Sequence, residues 1–86
     1  MKPAPVTLPL VYLNGRIVIH PDICNGRPTI RGLRITVETI LGFLSAGDSR
    51  EEILEQYPSL EPSDIDACLS FAAEMLAHRY SLQRVA

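Results

Sequence analysis

Four arginines near the start of the chain, Arg16, Arg27, Arg31 and Arg34, are the residues best suited to chemistry, and that chemistry is the recognition of anions. A guanidinium offers a planar fork of donors that matches phosphate or carboxylate. The last three recur at spacings of four and three within HPDICNGRPTIRGLRIT, residues 20–36, where Gly26, Pro28 and Gly32 punctuate the segment and let backbone approach a ligand closely. Residues 1–35 hold five cations against one anion, net +4, while residues 36–86 hold three against nine, net −6. The overall −2 hides two halves of opposite sign, and the basic half points to an anionic partner. For any single arginine the alternative is that it anchors a turn or pairs with the acidic helices downstream. Taken together, Arg16, Arg27, Arg31 and Arg34 read as the set that contacts an anionic partner.

Other chemistries find little support. His20 and Cys24, or Cys68 and His78, are metal ligands by type, but neither pair has the tight spacing of a zinc site, and the cysteines read as small apolar residues. Asp64 and Asp66 stand two apart, which on a helix sends them to different faces. No Ser/His/Asp or Cys/His triad suggests itself, and the glycines form no phosphate-binding loop. No catalytic residue, metal or cofactor is therefore assigned, and the chain reads as a non-enzyme.

The 86 residues make one domain, small enough to bury only about 60–65% of its unfolded surface, so association with a partner is expected. Apolar residues form 47% of the chain, too many for disorder, yet no run approaches the roughly 18–20 residues of a membrane span. Pro3, Pro5 and Pro9 interrupt any secretory signal, so cytoplasmic residence is the default and Cys24 and Cys68 are expected as free thiols.

The elements that must position the arginines follow from local pattern. Residues 1–8 read as a loose leader. Two β-rich runs flank Asn14-Gly15, the pair best able to adopt the positive φ angles of a two-residue hairpin turn, so strands are expected near 9–13 and 16–20. Asp22 to Arg34 is a bent basic arm with at most one extended piece, Thr29-Ile30-Arg31. Thr36 caps a helix over about 37–46 that Gly47 ends; Ser49 and Glu52 form a capping box for a second over about 50–57. Glu61 is read as the N-cap of a third helix over 62–80, with Asp64 at N3 and Leu60 stapled to Ile65; residues 81–86 are left as a tail. Ile65, Cys68, Leu69, Ala72, Met75, Leu76 and Arg79 share one face of helix 3, and Ala67, Phe71 and Ala73 widen it beyond what one small core requires. Phe71, Met75 and Leu76 are the candidate oligomer interface. The fold expected is mainly α: a small three-helix, helix-turn-helix-like bundle with an N-terminal β-hairpin and arm.

His20 to Cys24, Gly26 to Gly32, Arg34-Ile35, Val37 to Leu41, Gly47, Glu51 to Ile53 and Tyr57-Pro58, with Asp64-Ile65 and Cys68 to Ala72 downstream, resemble the bacterial domain-of-unknown-function family 433 over about residues 17–77. Leu33 stands where that family usually has Thr, and Thr36 where it usually has Pro. The resemblance implies a helix-turn-helix-like core, kinship with VapB-type antitoxins and a PIN-like nuclease toxin as partner. Under this reading the arm either clamps operator phosphates or enters the toxin's carboxylate-lined pocket, and the chain forms a homodimer or larger assembly. The start of helix 3 offers Glu61, Ser63, Asp64 and Asp66, which phosphate would repel, so DNA contact is expected from the arm and the start of helix 1 or 2. The rival reading is a protein-interaction adaptor with no nucleic-acid role.

Overall fold

A computed structural model describes the backbone of residues 10–85 and the side chains of residues 10–78; the expected leader lies outside it. Three helices pack with a small three-stranded antiparallel sheet of order β1-β2-β3, so the mainly helical architecture with an N-terminal hairpin is observed. The strands are β1 (Leu10–Tyr12), β2 (Ile17–Ile19) and β3 (Thr29–Ile30), and a single 3-10 turn spans Cys24–Gly26. The helices are α1 (Val37–Ser45), α2 (Arg50–Gln56) and α3 (Pro62–Val85).

The hairpin keeps the register that a link centred on Asn14-Gly15 sets, with Leu10 opposite Ile19 and Tyr12 opposite Ile17. Its loop is wider than expected. Leu13 and Arg16 lie outside the strand ladder, although the Arg16 amide donates to the Leu13 carbonyl at 3.1 Å; Leu13, Asn14 and Gly15 all take positive φ, and the chain crosses in four residues. Opening the loop sets Leu13 against the core and leaves the Arg16 carbonyl free to accept from the Arg31 amide at 2.9 Å.

The tighter turn is in the arm. Arg31 and Gly32 both have positive φ (52° and 74°), and the Leu33 amide donates to the Ile30 carbonyl at 2.8 Å. Two positive φ angles in succession are the requirement of a type I′ turn, which Gly32 meets at no steric cost and Arg31 does not. Beyond the turn the chain returns alongside itself: the Ile30 amide donates to Ile35, and Thr36 bridges Thr29. What the sequence suggested as a bent arm is thus the third strand of the sheet and its return.

Helix boundaries follow their caps. The Thr36 hydroxyl accepts from the Thr39 amide, and Ser49 and Glu52 complete the capping box. Gly47, at φ 99°, ends α1: its amide donates to Leu44 and that of Asp48 to Phe43, the double bond pattern of a Schellman motif. Helix α3 continues to Val85, through residues expected to form a tail.

The core lies where sheet and helices meet. Ile17 and Ile30, cross-strand partners, are fully buried with Ile40 of α1, Ile53 of α2 and Ile65 and Cys68 of α3. Tyr12 packs edge-on against Phe71 with ring centroids 5.4 Å apart. Thr29, also fully buried, donates its hydroxyl to the Val18 carbonyl and so leaves no orphaned polar atom.

Candidate functional site

The four arginines divide into two pairs. Arg16 and Arg31 converge on Asp64, whose side chain is fully buried at the N3 position of α3. Arg16 Nη1 donates to Asp64 Oδ1 at 2.8 Å and to Glu61 Oε1 at 2.6 Å. Arg31 grips the same carboxylate with two donors, Nε to Oδ1 at 3.1 Å and Nη2 to Oδ2 at 2.9 Å, and Nη2 also reaches the Ser59 carbonyl at 2.7 Å. The Glu61 amide donates to Asp64 Oδ2 at 2.8 Å, so the capping role read for Asp64 is present. Four donated bonds saturate one buried carboxylate and tie together the hairpin loop, the β3 turn and the start of α3.

Electrostatics agree with this geometry. Burial alone would raise the Asp64 pKa, but the bonds from Arg31, the Glu61 amide and Arg16 outweigh it and hold the carboxyl below its ordinary value. Arg16 is pushed above its ordinary value first by its bond to Glu61 and then by Asp64, and Arg31 by Asp64. Left-handed φ costs an L-residue roughly 1–2 kcal/mol, and at Arg31 the bidentate grip on Asp64 offsets that strain. The alternative weighed for a single arginine, pairing with the acidic helices, is what Arg16 and Arg31 do; the residues alone show the cap at Asp64 but not that both guanidinium groups meet there.

Arg27 and Arg34 form the other pair. The Arg27 side chain is 62% exposed and meets Glu38 of α1 at 3.4 Å, a long bond between two solvated groups. Arg34 is exposed in the segment leading to α1. Arg50, outside the arm, meets Asp66 at 2.7 Å across the α2–α3 corner.

Beside Arg27 lies an apolar groove of about 610 Å³ between α1 and α3. Pro28, Val37 and Leu41 form one wall and Ala72, Met75 and Leu76 the other. Phe71, expected at an oligomer interface, is 7% exposed and floors the groove, whereas Met75 and Leu76 are 39% and 67% exposed. Arg79 of the same expected stripe has no described side chain.

His20 Nδ1 accepts the Asp22 amide at 3.0 Å. Among the described residues no group of three or more His, Cys, Asp or Glu is disposed to hold a metal, and no helix is long and apolar enough to cross a membrane. Both cysteines are free thiols. Burial, and then the charge of Asp64 one turn away, pushes the Cys68 thiol up to about 12. The thiolate is the reactive species, so iodoacetamide at pH 8 is expected to label the half-buried Cys24 and to spare Cys68 until urea unfolds the chain. Peptide mass mapping checks this, and equal labelling of both in the native protein would contradict it.

The family described as protein of unknown function, DUF433, matches residues 17–72, about two thirds of the chain. The chain belongs to this family. The family-433 segment holds Arg27, Arg31, Arg34 and Asp64 and stops short of Arg16, Met75 and Leu76. The uncharacterized protein y4eO of Sinorhizobium fredii (strain NBRC 101917 / NGR234) is 42% identical over 49 residues, 57% of this chain and 22% of the relative. The aligned part thus spans less than a quarter of the length of that curated relative. No solved structure matches this family-433 chain.

Proposed function

We propose that this chain is a non-enzymatic, antitoxin-like module of a bacterial toxin–antitoxin pair, acting in the cytoplasm and gripping an acidic partner through the outward side of its arm. The observation that carries the reading is the division of labour among the arginines. Arg16 and Arg31 fasten the arm to Asp64, and the arm so fastened holds Arg27 and Arg34 out in solvent. An arginine whose backbone is already fixed beside a strand of the sheet leaves less of the chain to be ordered on meeting a carboxylate, which favours tight recognition. A PIN-like nuclease, whose metal-binding pocket is lined with carboxylates, is a partner of the right charge.

Operator DNA is a second reading, favoured by the same two exposed cations. The links 46–49 and 57–61 have the short lengths of a helix-turn-helix-like core. The end of α3 that such a core would insert into a DNA groove is closed by the chain's own Arg16 and Arg31 and carries Glu61 and Asp66, which favours the protein partner over DNA.

The test is growth rescue in cells producing a PIN-like nuclease toxin together with this chain. Wild-type chain is expected to restore growth, and Arg34→Glu, alone or with Arg27→Ala, to reduce rescue at least roughly tenfold without lowering thermal stability. Equal rescue by wild type and variants, or none by the wild type, would overturn the reading. A mobility shift with DNA from upstream of the gene separates the two partners: each phosphate neutralised by an exposed arginine adds about −0.9 to the log–log salt slope.

A further inference from the structure

We infer that a second copy of this chain docks on the groove between α1 and α3, antiparallel about a two-fold axis, so that the C-terminal half of each α3 lies in the groove of the other copy. The argument begins with the length of α3. Its inner apolar positions, Ile65 and Cys68, are fully buried within the chain, and among the described side chains the last buried position is Phe71. The helix nevertheless continues to Val85, so residues 72–85 add about 21 Å beyond the core. An isolated helix of that length is marginal in water, and this one exposes Met75 and Leu76 on the continuation of the buried stripe.

The groove and the uncovered stripe share residues. Ala72, Met75 and Leu76 form one wall of the groove, and the same side chains need cover. A second copy supplies an apolar helix of matching character, and a two-fold contact covers both stripes at once, which is the defining property of an isologous interface. An unrelated helix would cover one stripe and leave its own chain's needs unaddressed.

Charge complementarity points the same way. Arg27 stands next to Pro28 at the arm side of the groove and, among the described residues, is held only by the long, solvated contact with Glu38, which also lines the groove. Glu74 is exposed on the part of α3 that would enter, adjacent to Met75. The two-fold arrangement brings Glu74 of each copy towards Arg27 of the other.

This inference does not rest on the toxin-binding reading: Arg34→Glu probes that reading without touching the groove, and Leu76→Asp probes this one without touching the arm. The experiment is sedimentation of the full chain between about 1 and 100 μM. Wild type is expected as a dimer in this range. Leu76→Asp, at a position 67% exposed that contributes little to the core, is expected to weaken association roughly 30-fold or more while the far-UV circular dichroism stays that of the wild type. Arg27→Glu should weaken it roughly tenfold, and Arg27→Glu combined with Glu74→Arg should restore it. A wild type monomeric at 100 μM, a Leu76→Asp chain that dimerises as well as wild type, or a double reversal that fails to restore association would each overturn the proposal.

Discussion

Replacing Asp64 by alanine is expected to destabilise the domain by about 2–4 kcal/mol, measured as the shift of a urea unfolding curve at neutral pH. Removing one partner from a buried ion pair ordinarily costs about 3–5 kcal/mol, because the remaining charge is left without a partner. Here the carboxylate is fully buried but Arg16 and Arg31 are each about one-third exposed, so water recovers part of the loss and the figure is discounted. Against a total of about 4–13 kcal/mol for a chain of this length, the effect remains large. Asp64→Asn, which retains an oxygen to accept the Glu61 amide, should lose less. Arg16→Ala and Arg31→Ala should each cost less than Asp64→Ala, and their sum should differ from the double variant because they share one acceptor. A loss below about 1 kcal/mol for Asp64→Ala would mean that the junction is an incidental surface pair.

The same junction sets an acid limit. The Asp64 carboxyl in the folded chain titrates below its ordinary value of 3.8, so folding favours its ionised form. Its stabilisation is complete above that value and is lost as pH falls through the depressed folded value. Glu52, lowered first by its bond from the Ser49 amide, behaves alike below its ordinary 4.5. These groups add no slope between pH 5 and 7 and a falling stability below about pH 4. In Asp64→Ala the fall should be shallower, since only the capping-box contribution is left.

How much of this was legible in the residues depends on the range of the interaction. Caps and stops are local, and Thr36, Gly47, Ser49 and Glu52 each do in the structure what their types and spacing require. The hairpin register was legible for the same reason, since Asn14-Gly15 sets it; the width of the loop was not, because it depends on Leu13 reaching the core and on the Arg16 carbonyl meeting β3. The junction at Asp64 joins residues 33 and 48 positions apart, and no periodicity reports such a pairing. Charge segregation along the chain was correctly read, but two of its arginines neutralise the acidic start of α3 from within. Helix α3 was read as ending near residue 80 with residues 81–86 as a tail, yet the helix continues to Val85.

Whether the arm is an appendage or part of the core is decided by Ile30. The side chain is fully buried opposite Ile17, and Ile30→Ala is expected to cost about 3 kcal/mol, the middle of the range for deleting a buried branched side chain together with the cavity left behind. An appendage would lose less than about 0.5 kcal/mol, as Val11→Ala should on the exposed edge strand β1, where the side chain is 55% exposed. The comparison of the two variants by urea unfolding therefore distinguishes the cases within one sheet. The result bears on function because Arg27 and Arg34 flank β3. If β3 unfolds only with the helices, those two guanidinium groups are carried by the most protected part of the chain, and a partner meets them already positioned. If Ile30→Ala behaves like Val11→Ala, the arm orders separately, and any partner that grips it must also supply the free energy of ordering it.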